Sequence, residues 1–166
     1  MIKNLRQLIS IEFEDKKEIF NGFLIDYSDE WILLRNNPVD FIVDGYILLK
    51  NKNVKSIHRD EDHEFTEKVI RLKGLKTNAE DIIPIKDLAS IISYLDTKYG
   101  VFQIAKKSSK SAYLGKLIEL NKDELTIDFL DIRGEFGGEL SFNPEKIRVI
   151  EFDTDYINSL KLVIKE

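Results

Sequence analysis

The sequence predicts an α+β protein, mainly β, built as two tandem small barrels of about five antiparallel strands each and joined through an amphipathic helix. Three observations predict it. The chain overlays on itself at an offset of 93 residues, so that Leu8–Lys73 falls on Val101–Glu166, with Gly22 on Gly115 and Gly45 on Gly138. Both copies are strings of short apolar or alternating segments punctuated by turn residues. Between them lies one stretch with sustained helical periodicity. Only 10 of the 66 overlaid positions are identical, so the match is carried by coincident apolar positions, among them Leu24/Leu117, Leu34/Ile127, Ile47/Leu140 and Ile57/Ile150.

In the first copy, Leu8–Phe13 alternates after its first residue, and Glu18–Tyr27 is a longer apolar run broken at Asn21-Gly22. Trp31–Arg35, Tyr46–Leu49 and Val54–Ile57 complete five strands, with turns at Tyr27–Glu30 and Asn36–Asp40. The second copy repeats the plan with Tyr113–Leu120, Leu125–Asp131, Glu139–Phe142 and Ile147–Phe152, and a Gly-rich turn at Gly134–Gly138. Gly22 and Gly115 each interrupt a strand, where a residue without Cβ permits a bulge or sharp bend. After the last strand of each copy comes a segment that reads as helix or strand: Phe65, Val69 and Leu72 in one, Tyr156, Leu160 and Val163 in the other. Asp60 and Asp153 precede these segments as expected caps.

The strongest helix spans 84–99. Leu88, Ile91, Ile92, Leu95 and Tyr99 form a stripe, Pro84 stands near its start and Gly100 just past its end. Ile2, Leu5 and Ile9 allow a short counterpart at the N-terminus. The polar stretch 73–80 marks a boundary, giving a first module over 1–75 and the linking helix plus second module over 76–166. Modules of this size sit near the lower limit for an independent core, so they are expected to pack together.

Composition narrows the functions. Apolar residues make up 43% and charged residues 33%, an ordinary globular balance. No run approaches the roughly 18 apolar residues of a membrane span, and the start carries no signal-peptide pattern, so the expected setting is cytoplasmic. With no cysteine there is neither a disulfide framework nor thiolate chemistry. A net charge of −5 opposes a broad nucleic-acid surface.

Few residues suggest chemistry. His58 and His63 stand among Asp60, Glu61, Asp62 and Glu64, but their spacing fits no metal signature, and the second copy has Glu151 and Tyr156 instead; no metal is expected. There is no Gly-x-Ser-x-Gly, no Gly-x-Gly-x-x-Gly and no phosphate loop, so neither catalysis nor a cofactor is expected. Candidate partner contacts are Trp31, the only tryptophan, with Phe41, Tyr46 and Phe136 around the loops. The candidate nucleic-acid patch is Lys106, Lys107, Lys110 and Lys116 with Tyr113 for stacking.

The succession of Gly22-Phe23-Leu24 or Gly115-Lys116-Leu117, a polar turn, an apolar strand, a Gly-containing hairpin and two final strands resembles the Sm-like or SH3-like small barrel, over 8–60 and 101–153. In the Sm family an aspartate and an asparagine follow the glycine and help to hold RNA. Those positions carry Ser28 and Ile32, or Asn121 and Leu125, so the resemblance implies the fold and not the RNA site. Ile132-Arg133-Gly134 mimics the family's second signature but stands in the middle hairpin. The second copy, from Tyr113-Leu-Gly-Lys-Leu to Asp153-Thr-Asp-Tyr, is also similar to a widespread group of bacterial proteins of unassigned function, which implies a bacterial origin.

The leading expectation is a non-enzymatic protein-binding module, monomeric or a small homo-oligomer, acidic enough to neutralise a basic partner as immunity proteins do to toxins. RNA or single-stranded nucleic-acid binding through the barrel surface is the alternative, and a metal-dependent hydrolase at the His58/His63 turn is third.

Overall fold

The computed structural model describes residues 1–164. The first copy supplies β1 (Leu8–Phe13), β2 (Phe20–Tyr27), β3 (Trp31–Asn36), β4 (Tyr46–Lys50), β5 (Val54–His58) and helix α1 (Glu61–Leu72). Helix α2 (Leu88–Lys98) follows, then β6 (Val101–Ala105), β7 (Ala112–Leu120), β8 (Leu125–Leu130), β9 (Phe136–Phe142), β10 (Val149–Phe152) and helix α3 (Asp155–Lys161). The strands form one open antiparallel sheet in the order β5-β1-β2-β3-β4-β10-β6-β7-β8-β9. Its two halves have the same internal order, and the ladder runs on through the junction between β4 and β10.

The strand register is matched between the two copies at corresponding positions. Ile9 faces Gly22 as Phe102 faces Gly115, and Ile11 faces Ile57 as Ile104 faces Ile150. The bulge between Leu24 and Asp26 recurs between Leu117 and Glu119. Both bend glycines are forced by close approach: a Cβ on Gly22 would lie 2.7 Å from the Arg35 carbonyl oxygen and 2.8 Å from Leu34 Cβ, and one on Gly115 would collide with the Asp128 carbonyl.

The core belongs to both copies. Trp31, Leu33 and Leu48 from the first pack with Phe102, Ile104, Leu125, Ile150 and Phe152 from the second. Ile91, Ile92 and Leu95 of α2, all buried, cover this shared face; each contributes roughly 2 kcal/mol. The other faces of β1 to β4 enclose a second cluster that includes Ile9, Ile11, Leu24, Leu34, Ile47 and Leu49, closed from across the junction by Ala105 and Val149. β3 and β4 are therefore buried on both faces.

The helices correct the sequence reading in three places. The central helix starts at Leu88 rather than at Pro84, because Ile83 and Ile85 enter the core from the preceding non-helical segment and Asp87 caps the helix, accepting from Ser90 N–H at 2.8 Å. At the N-terminus only a single 3-10 turn, Ile2–Asn4, forms, and Ile9 belongs to β1. Asp60 caps α1 as expected, but α3 is capped by Thr154, while Asp153 sits just before it at φ 56° and accepts from Asn158 Nδ2 at 3.0 Å. In α1 a different face is buried from the one the spacing suggested, that of Ile70; in α3 Leu160 is buried as the spacing suggested, but with Ile157 rather than with Tyr156 and Val163. Phe65 is 60% and Leu72 79% exposed.

Candidate functional site

Helix α1 lies across the outer face of β1 and β2, and alternation along the strands decides what it meets. Leu8 and Phe23 receive Ile70. Two helical turns earlier, the same side of α1 presents His63 to Ser10 and Asn21, the next inward pair on that strand face. Between these contacts, Glu67 Oε2 accepts from the Leu8 N–H at 3.0 Å and from Arg59 Nη1 at 2.7 Å, while Arg59 donates to the Leu8 carbonyl at 2.8 Å. Burial pushes the Glu67 carboxyl up, but the hydrogen bonds from Leu8, Arg71 and Arg59 outweigh it and hold it below its ordinary value.

The polar end of this contact is a continuous line of side chains. Asp60 Oδ1 lies 2.6 Å from His63 Nδ1, His63 Nε2 lies 2.6 Å from Ser10 Oγ, and Ser10 Oγ lies 2.5 Å from the Asn21 side-chain amide. A carboxylate only accepts, so a proton on Nδ1 points at Asp60, whose backbone N–H also approaches Nδ1 at 3.3 Å in the capping box. The Ser10 hydroxyl has one proton, and Oγ donates it to Asn21 Oδ1. The line joins Asn21, Ser10, His63 and Asp60 through contacts of 2.5 to 2.6 Å. The bond from His63 leads the causes that hold the Asp60 carboxyl below its usual range. The His58 ring meets the His63 ring edge to face at 5.3 Å.

Ser10, Asn21 and His63 border a cleft of about 290 Å³ that also takes in Leu8, Asn37, Asp40, Asp62 and Thr66. No lysine or arginine lines it. Beside it runs an apolar ledge, where Phe65 of α1 meets Phe41 of the β3–β4 loop edge to face at 6.1 Å. Leu72 on α1 and Val39 and Ile42 on the loop are also exposed.

The residues expected to contact a partner divide. Trp31 is 0% and Tyr46 5% exposed, which removes both as surface anchors and gives Trp31 the core place that its apolar neighbours Ile32 to Leu34 favour: both stand on strands with neighbours on either side and point into the shared core. Tyr46 stacks on Phe152 at 5.1 Å, across the junction. Phe41 is half-buried on the ledge, and Phe136 is half-buried on β9 with the Lys116 ammonium 4.2 Å above its ring.

The lysine patch does not converge on one surface. Lys107 and Lys110 face the first copy's β1–β2 loop, and with Glu14 to Glu18 and Ser108 they line a cavity of about 590 Å³. Lys106 and Tyr113 lie against Phe142. Lys116, three residues after Tyr113 on β7, projects from the opposite face and reaches Asp128 at 3.7 Å. In the same cavity Lys16 Nζ is buried over the rings of Phe13 and Phe20 with no hydrogen-bond partner, and desolvation lowers it to about 8.

The second copy keeps only the aspartate of the polar line, Asp153 at the place of Asp60: Gln103, Leu114 and Tyr156 stand where the first has Ser10, Asn21 and His63, and Glu151 stands where it has His58. Gln103 Nε2 donates to Glu151 at 2.7 Å, and burial pushes the Glu151 carboxyl up to about 7. Sequence reasoning noticed His63 but missed Ser10, Asn21 and the orienting role of Asp60. The one available signal was the mismatch of these positions between copies. Among the described residues no group of three or more His, Cys, Asp or Glu could hold a metal ion, and no helix is long and apolar enough to cross a membrane. No family model, curated protein or solved structure matches the chain.

Proposed function

We propose that the chain is a protein-recognition module that grips an apolar-anchored, basic segment of its partner, with an immunity-type role against a basic toxin as the narrower form. One observation carries the reading. The apolar face of α1 is turned outwards, so that Phe65 and Leu72 make a ledge with Phe41, Val39 and Ile42, and the adjoining cleft offers Asp40 and Asp62 without a balancing cation. An exposed apolar surface beside an acidic cleft suits a partner with apolar anchors and a lysine or arginine on the cleft side, while Lys73, which donates to the Phe41 carbonyl at 2.9 Å, stands at another margin. Nothing in the internal packing requires that face, because Ile70 already docks the helix.

The scaffold in this reading is a pair of Sm-like or SH3-like small barrels laid edge to edge. It is supported by the strand order, which is the same in both halves, by the matched bulges, and by the single cluster into which β1 to β4 of the first copy turn their inner faces. A native pull-down with mass spectrometry tests the function. The tagged protein is expected to capture a basic protein that a Phe65→Glu, Leu72→Glu variant of equal thermal stability releases, while Lys106→Glu leaves capture intact. Equal capture by all three would defeat the assignment of the ledge.

A further inference from the structure

We propose that Ser10, His63 and Asp60 form an acyl-transfer site that hydrolyses small neutral or cationic esters. The inference goes beyond the recognition reading and does not depend on it. Three observations point the same way. The nucleophile-to-base and base-to-orienter contacts are both 2.6 Å, within the reach that general-base activation of a hydroxyl requires. Ser10, although only 4% exposed, is one of the residues that line the cleft. The second copy builds the same strands in the same register with Gln103 and Tyr156 at the corresponding positions, so the fold does not demand the serine and histidine.

Each group has a defined task. Ser10 Oγ bonds to the ester carbonyl carbon while its proton passes to His63 Nε2, and the carbonyl π pair moves onto oxygen. Collapse breaks the carbon–oxygen bond to the alcohol, which leaves with the proton from Nε2. Water then attacks the acyl carbon, yields a proton to Nε2 and releases the acid, and Ser10 Oγ departs with that proton. Asp60 fixes the imidazole tautomer and balances the transient imidazolium. The Ser10 hydroxyl turns from Asn21 Oδ1 to His63 Nε2 before its proton is transferred.

The surroundings set the substrate class. Asp40 and Asp62 line the cleft with no cation beside them, which disfavours carboxylated and phosphorylated substrates. β1 is hydrogen-bonded on both sides, to β2 and β5, so its amides at Ser10 are committed to the ladder and cannot cradle an oxyanion. That limits the site to esters with good leaving groups rather than amides.

The test uses the intact protein and a neutral fluorophosphonate, with peptide mapping by mass spectrometry. Labelling is expected at Ser10, absent in Ser10→Ala and at least about 100-fold slower in His63→Gln, with p-nitrophenyl acetate hydrolysis falling in parallel. A second measurement exploits the absence of cysteine. In a Ser10→Cys variant the sole thiol should react with iodoacetamide much faster with His63 present than after His63→Gln. Folded wild-type protein that stays unlabelled at Ser10, or thiol reactivity indifferent to His63, overturns the proposal.

Discussion

The fourth strand of each copy shows what duplication required and what it left free. β4 runs Tyr46-Ile-Leu-Leu and is buried from Tyr46 to Leu49, because β10 pairs with it and cores lie on both its faces. Its counterpart β9 reads Phe136-Gly-Gly-Glu-Leu-Ser-Phe, ends the sheet, and exposes Gly137, Gly138, Glu139 and Ser141. Register with the third strand is the same in both, Leu34 facing Ile47 as Ile127 faces Leu140. Pairing inwards thus sets the strand's position, while its composition follows from what lies beyond it. Glycines and charge on a free edge also discourage stray pairing.

Substituting the same position in both copies would break that comparison if it is wrong. Leu48→Asp places an unpaired charge at a fully buried site and should cost more than about 4 kcal/mol, whereas Ser141→Asp at the matching edge position should stay within about 0.5 kcal/mol. Denaturant unfolding of the two variants decides it. Comparable losses would mean that β9 is covered in solution.

The junction also carries a proton-linked contribution. Because burial raises the Glu151 carboxyl from 4.5 to about 7, the folded state binds that proton more tightly than the unfolded state. Stability is then full below about pH 4.5 and is lost as pH rises through about 7, by about 3 kcal/mol at most. Unfolding free energies measured from pH 5 to 8 should show the decline, and Glu151→Gln should flatten it. Asp15 behaves oppositely: the bond from Arg148 holds it down to about 2, so its contribution is present above its ordinary 3.8 and disappears only as pH falls towards 2.

The smallest effect tests the register glycines. Gly45 has φ 58° and a Cβ there would lie 2.6 Å from the Phe152 carbonyl oxygen, across the junction. Gly138 has φ 108° with open space around it. Gly45→Ala should therefore cost about 2 kcal/mol and Gly138→Ala about 1 kcal/mol, since the latter meets backbone strain alone. Thermal melts of the pair measure the difference.

Most of the scaffold was legible because it depends on periodicity and glycine. Strand positions, the bend at Gly22 and Gly115, and the apolar stripe of α2 all follow from local pattern. What escaped depends on long-range placement. Tyr46 heads a strand after a loop, and nothing local reveals that β4 has neighbours on both sides. The outward face of α1 looked like a docking face because Phe65, Val69 and Leu72 outnumber Ile70; the polar anchoring through Glu67 and His63 that displaced them is invisible without the strand beneath. Ser10 and His63 lie far apart in the chain, and no spacing rule joins them.

The shared core has an evolutionary consequence. Once β4 had become apolar on both faces to meet β10, a chain losing the second copy would expose Tyr46 to Leu49 to water along an unpaired edge, and a chain losing the first would strip β10 and Phe152 in the same way. The duplication has become irreversible: neither half can be deleted, although each remains free to change at its outer edge. Descendants of this chain can gain or lose function at Ser10, at the ledge or along β9, but they must keep two copies.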